Sequence, residues 1–240
     1  MTGQSDEVHV LRRFRGPPTS GNGGYVCGLV AEWIEGPAEV RLLAPIPLET
    51  PLHRRRDEAE VTLSDNQIVY ARARPLEEGL DIDVPAPPDE AELEAAALVF
   101  PGAAGHPIPG CFVCGTERSP GDGLCIYAGE SPHRDVAVAE WMPDEEFAGE
   151  DGHVAERFIW AALDCPSYFG LGEPRPLALL AKLSARIDRP VLPGERLRIS
   201  AWEREREGRK HRSATVIHDE KAQLVAIAEA LWIEVERLPN

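Results

Sequence analysis

The chain repeats itself, and no other feature restricts its fold as much. Two segments open on glycine and run on as apolar, helix-compatible sequence. The first is Ser20 to Ile34 and the second is Glu150 to Asp164. Each closes its apolar run on an acid, Glu32 in the first and Asp164 in the second. A proline-bearing, strand-like stretch follows each one, Val40 to Pro51 and then Lys182 to Pro193, with Pro51 and Pro193 aligned. Period-two patterns come next, over 59–64 and 68–74 in the first copy and over 197–204, 211–218 and 223–235 in the second. Alternation of this kind predicts antiparallel strands with one face buried. The separation between matched positions grows along the chain, which predicts longer loops in the second copy.

The copies are joined by an acidic, proline-rich linker over 75–88. A short helix is expected over 89–97, with Asp89 as its cap. Phe100 to Asp122 is punctuated by Gly and Pro and predicts a long loop. The expected division is therefore residues 1–100, one repeat plus the linker helix, and residues 101–240, the second repeat with a Cys-x-x-Cys loop.

Charge and cysteine usage narrow the classes. With 25 basic and 41 acidic residues the net charge is −16, which repels a phosphate backbone and disfavours nucleic-acid binding. No stretch reaches the ~18 consecutive apolar residues of a spanning helix, and residues 1–15 lack the apolar core of a secretory signal. Five cysteines, an odd number without dense spacing, fit a reducing compartment better than a disulfide framework. The expected location is the cytoplasm.

A glycine-led apolar helix followed by long antiparallel strands, occurring twice, resembles the double-hotdog proteins of the acyl-CoA thioesterase and dehydratase superfamily. Gly21-Asn22-Gly23-Gly24-Tyr25 and Trp160-Ala161-Ala162-Leu163-Asp164 carry the resemblance. Cys111-Phe112-Val113-Cys114-Gly115 with Gly121-Asp122-Gly123-Leu124 is similar to a segment of thioesterase-like bacterial proteins. The resemblance covers roughly 9–75 and 110–236. It implies an α+β fold of two tandem hotdog units, each a curled antiparallel sheet wrapped around a central helix. It also implies a small-molecule acyl thioester as substrate, with coenzyme A entering only as part of it and no separate cofactor. The chain would be a monomeric pseudo-dimer or a homo-oligomer. The thioesterase branch has a His-Gly-Gly turn into the helix; here Gly23-Gly24 is kept, Tyr25 follows, and no His precedes. The dehydratase branch has an Asp and a His ahead of the helix, which Asp151 and His153 loosely imitate.

Thioester hydrolysis needs an activated water or nucleophile and donors for a developing oxyanion. A helix N-terminus supplies backbone N–H groups and partial positive charge, and glycine lets a carbonyl approach. The candidate oxyanion site is therefore Gly23, Gly24 and Tyr25, with Asn22 as donor or as a plain helix cap. The candidate acids are Asp164 and Glu32. Asp164 follows Ala161-Ala162-Leu163 and reads as buried; Glu32 reads as a solvated charge near a helix end. Asp164 has a second reading, as a partner for backbone N–H groups at a break over Cys165-Pro166-Ser167. His153 and Glu156 sit at the matching start of the second helix, where His153 is a catalyst or a capping residue. A hydratase-dehydratase using His153 with Asp151 or Glu156, and a non-catalytic acyl-binding protein, remain alternatives.

Cys111-x-x-Cys114 supplies two of the four ligands of a zinc site, and His106 and Cys125 lie near enough in sequence to complete it. The residues favour loop packing first, zinc second and a redox pair third. Arg54, Arg55 and Arg56, and the group Arg204, Arg206, Arg209, Lys210 and Arg212, are candidates for coenzyme A phosphates. The alternating Glu203, Glu205 and Glu207 argue instead for exposed strand ends.

Overall fold

The computed structural model describes residues 4–238. Five strands belong to the first half: β1 (Ser5–His9), β2 (Ala38–Leu42), β3 (Pro51–Asp57), β4 (Glu60–Ser64) and β5 (Val69–Pro75). Six belong to the second: β6 (Gly129–Glu130), β7 (Ala137–Trp141), β8 (Ala178–Ile187), β9 (Leu197–Glu207), β10 (Lys210–Asp219) and β11 (Leu224–Glu234). The helices are α1 (Gly23–Ala31), α2 (Glu90–Ala97) and α3 (Glu156–Phe169). All strands join one antiparallel sheet in the order β1-β3-β4-β5-β2-β8-β11-β10-β9-β7-β6. Apart from the short β6, that order is a palindrome. Reading outward from the β2–β8 seam, β5, β4, β3 and β1 meet their counterparts β11, β10, β9 and β7. The seam sets Val40 opposite Leu183 and Arg41 opposite Lys182, so the two units share one continuous sheet.

The helices lie together inside the curl. α1 packs against α3 and against β2, β4, β5 and β8, while α3 packs against β7 to β11. α1 is buried from Gly24 to Ala31, because its residues are apolar or small on every side; a helix of that kind belongs in a core. Asn22 caps its start by accepting the Tyr25 N–H at 2.9 Å. Gly36, at φ +79°, and Pro37 close off its far end. The helices cross at glycines. A Cβ on Gly24 would lie 2.4 Å from Asp164 Cβ, and one on Gly28 would lie 2.4 Å from Arg157 Cα. No other residue permits that approach.

Two features differ from the pattern. The strand-like stretch after α1 forms a strand only over Ala38–Leu42. Residues 43–50, with Pro45 and Pro47, fold back on the start of α1, where Gly21 N donates to Ile46 O at 2.9 Å and Ser20 Oγ accepts from Ile46 N at 3.0 Å. The arginine run is itself β3, a polar strand whose alternate residues Leu52 and Arg54 face inward. The second copy also gains length in its elements, with β8 to β11 at 10–11 residues against 5–7 in β2 to β5. Pro51 accordingly opens β3, whereas Pro193 lies in the turn before β9. α3 runs through Cys165-Pro166-Ser167 without breaking. Pro166 cannot donate into the helix, and Ser167 Oγ donates to the Asp164 carbonyl at 2.6 Å.

α2 starts from its Asp89 cap, whose carboxylate accepts the Glu92 N–H at 2.9 Å. It packs on β6 and β7. The Cys-x-x-Cys loop instead reaches back to the first half, with Phe112 N donating to Arg15 O at 2.8 Å. Among the described residues no helix is long and apolar enough to cross a membrane.

Candidate active site at the start of α1

Asp164 lies on α3 where that helix passes the N-terminus of α1. The side chain is 2 % exposed. Its Oδ2 accepts the Gly24 N–H at 2.8 Å and an Asn22 Nδ2 hydrogen at 3.0 Å. Its Oδ1 has no partner among the described residues. Burial pushes this carboxyl up to about 7, against the lowering effect of the Gly24 and Asn22 donors. Asn22 does two jobs: its Oδ1 caps α1 and its Nδ2 holds Asp164.

The first-turn amides of α1 are thereby sorted. Gly24 N–H goes to Asp164, Tyr25 N–H to Asn22 Oδ1, and Val26 N–H to Asn22 O. Gly23 N–H is left without a partner among the described residues, at the positive end of the helix. The amide that the geometry leaves open is therefore Gly23 N–H, while Gly24 and Asn22 hold the Asp164 carboxyl. The Tyr25 ring turns into the core, stacked on Phe14 at 4.3 Å between centroids.

Asp164, Asn22 and Gly23 share one cavity of about 290 Å³. Its wall is largely apolar and comes from both halves. Leu42 contributes from the end of β2, Pro45 and Ile46 from the fold-back after it, and Leu180 and Trp232 from β8 and β11. Its remaining polar lining includes His106 and the thiols of Cys111, Cys114 and Cys165.

The other candidates lie elsewhere. Glu32 ends α1 and is ion-paired with Arg54 at 3.1 Å and Arg157 at 2.6 Å. Glu32 and Glu156 line a second, polar cavity of about 440 Å³ at the start of α3. Partial desolvation and then the Glu32 charge hold the Glu156 carboxyl above its ordinary value. His153 sits on the turn before α3, with Nδ1 3.3 Å from Asp151 Oδ2, and lines neither cavity. Cys125 is partly exposed and apart from the other thiols. Arg54 is buried, stacks on Trp33 at 4.0 Å and donates to Leu29 O at 2.6 Å; Arg56 donates to Trp33 O at 2.9 Å. Arg204, Arg206 and Arg212 are ion-paired with strand glutamates, and Arg209 donates to the Glu234 carbonyl at 2.7 Å. Cys165 was the residue that sequence spacing missed, because 54 positions separate it from Cys111 and only α3 brings it back.

No family model matches the sequence, and no curated protein matches it significantly. Solved structures do match over nearly the whole chain. A conserved hotdog-fold protein of unknown function from Alicyclobacillus acidocaldarius aligns at TM-score 0.63 and 11 % identity, over 99 % of this chain and 96 % of its own. A tesB protein from Mycobacterium avium subspecies paratuberculosis aligns at 0.60 and 11 %, over 96 % and 93 %. An acyl-CoA thioesterase II from Mycobacterium marinum aligns at 0.56 and 12 %, over 98 % and 94 %. The chain has the double-hotdog fold.

Proposed function

We propose that the protein hydrolyses acyl thioesters of the coenzyme A type, with Asp164 as the acid–base residue. One observation carries this reading: the buried Asp164 carboxyl, with one oxygen held by Gly24 N–H and Asn22 and the other without a partner among the described residues, lines an apolar cavity together with Gly23, whose N–H is also without a partner among them. The fold it shares with the acyl-CoA thioesterase II of Mycobacterium marinum supports the same reaction class.

The acyl chain lies against the apolar wall and its carbonyl oxygen points at Gly23 N–H. Asp164 Oδ1 takes a proton from water as the water oxygen attacks the carbonyl carbon. The oxyanion that forms is held by Gly23 N–H and the positive end of α1. Collapse of the tetrahedral intermediate breaks the carbon–sulfur bond, and Asp164 returns its proton to the departing thiolate. Asn22 and Gly24, by holding Oδ2, keep Oδ1 aimed. Acid and oxyanion donor come from different halves, so one chain supplies what a single hotdog unit obtains by pairing with a second copy.

The test is thiol release from a panel of short-, medium- and long-chain acyl-CoAs, with Asp164→Asn alongside. Hydrolysis that falls about 10²–10⁴-fold in the variant supports the assignment. Unchanged hydrolysis moves the site away from Asp164. No thiol release by the wild type across the panel overturns the reading for those substrates.

A further inference from the structure

The cavity wall carries three sulfurs for which hydrolysis has no use. Cys111 and Cys114 come from the loop and Cys165 from α3, and all three are buried. Their Sγ atoms lie within 4.8 Å of one another. Cys111 and Cys165 sulfurs are 3.6 Å apart. A tetrahedral zinc ion with zinc–sulfur bonds of about 2.3 Å holds its sulfurs about 3.8 Å apart. The trio is thus already close to ligand spacing.

A polar N–H donor approaches each of the three sulfurs. Asn22 Nδ2 lies 3.9 Å from both Cys111 and Cys165 Sγ. His106 Nδ1 accepts the Ile108 N–H at 2.9 Å, which puts the neutral ring's proton on Nε2, and Nε2 lies 3.2 Å from Cys114 Sγ. His106 is therefore a donor to a sulfur and not a ligand. A thiol is a weak acceptor, whereas donors aimed at every sulfur of a group stabilise negative charge. Several thiolates buried together need a cation among them.

The loop is also shaped for this. Gly115 N donates to Cys111 O at 3.0 Å, and a Cβ at Gly115 would lie 2.4 Å from Cys111 O and 2.5 Å from Pro109 O. Only glycine allows the tight turn that brings Cys114 back beside Cys111.

We propose that Cys111, Cys114 and Cys165 bind one Zn²⁺ as thiolates, releasing three protons, with the fourth coordination position open to the cavity. Soft sulfur ligands in a tetrahedral set select zinc over harder ions. A site with three protein ligands and one open position can take water or a small ligand. The proposal stands independently of thioester hydrolysis and is tested without an activity readout.

Elemental analysis of the full chain, purified under reducing conditions, is expected to give one zinc per chain. The chelator-treated protein is then titrated with Co²⁺. A thiolate-to-cobalt charge-transfer band should rise with the visible bands of tetrahedral cobalt, level off at one equivalent, and vanish when Zn²⁺ is added. Cys165→Ser should lose that plateau, and Cys125→Ser should keep it. Circular dichroism reports whether Cys165→Ser folds; if it does not, Cys114→Ser and the wild-type titration decide. Absence of the charge-transfer band in the reduced wild type overturns the proposal. So does a band that survives in a folded Cys165→Ser, or copper in place of zinc in the purified protein.

Discussion

The two ends of the helix pair occupy matching positions in the duplicated fold, yet they do different things with an acid. At the start of α1, Asp164 meets Gly24 N–H and Asn22, and no basic side chain among the described residues pairs with it. At the start of α3, Glu32 meets Arg54 and Arg157. The first helix is capped by the Asn22 side chain and opens on two glycines; the second has Ala155 at its cap position and no side-chain cap. The first cavity is walled by apolar side chains, and the second is bordered by Glu32, Glu35 and Glu156. A carboxyl becomes reactive when its surroundings do not settle its charge, and becomes structural when a guanidinium settles it. The backbone geometry repeats, and a few charged side chains set the two ends apart.

Exchanging the acids breaks that comparison most sharply. Asp164→Asn is expected to lower kcat/KM for acyl-CoA hydrolysis by about 10²–10⁴-fold with little loss of stability, since the amide oxygen can still accept the Gly24 N–H. Glu32→Gln is expected to leave kcat/KM within about threefold, because Glu32 lines the other cavity and its charge serves an ion pair. Equal losses in the two variants, in parallel steady-state assays, would erase the distinction between the ends.

Arg54 should show the opposite profile. It is buried against Trp33, holds Glu32 and Asp6, and donates to the Leu29 carbonyl near the end of α1. Arg54→Met removes the cation and leaves those acceptors in place. The expected cost is about 3 kcal/mol, or roughly 6–12 °C in Tm for a chain of this size. Hydrolysis measured well below the new Tm should stay near the wild-type value. A Tm within about 2 °C of wild type would show that Glu32 is held by Arg157 and water alone.

Much of this was legible in the sequence, and the limits have physical causes. Glycine before an apolar run, Asn22 as a cap and period-two strands are local signals, so α1, β4 and β9 to β11 follow from them. β3 did not announce itself, because its inward positions are Leu52 and Arg54, and an inward arginine hides the alternation. The pairing of Glu32 with Arg54 depends on β3 passing the end of α1, which no spacing reveals. Asp164 could be singled out by its apolar neighbours. That Gly24 N–H is spent on Asp164, leaving Gly23 as the open donor, requires the helix crossing itself.

That crossing gives a smaller prediction. Gly24→Ala places a methyl group against Asp164 Cβ, so α1 and α3 must part locally. Overpacking of this kind costs about 1–3 kcal/mol. It should also reduce hydrolysis, because the acid moves relative to Gly23. A drop in Tm without any change in kcat would mean that the helices can shift while the acid and the amide keep their relation.

The smallest effect lies at the second end and sharpens the contrast through pH. Partial desolvation and the Glu32 charge both raise the Glu156 carboxyl, although the side chain remains exposed. A carboxyl raised in the folded state favours the unfolded chain once it ionises. That penalty is absent below its unfolded value and grows as pH rises through the folded one. Glu156→Gln removes the penalty, and water screens the repulsion, so the expected gain is modest, about 1 °C in Tm at pH 7. The gain should shrink toward pH 4 and vanish below it, where wild-type Glu156 is mostly protonated in both states. Thermal melts of the two proteins across that range decide it. A gain that persists undiminished at pH 4 would have to come from helix propensity or packing, and the charge at this end would then contribute nothing measurable to how the two ends differ.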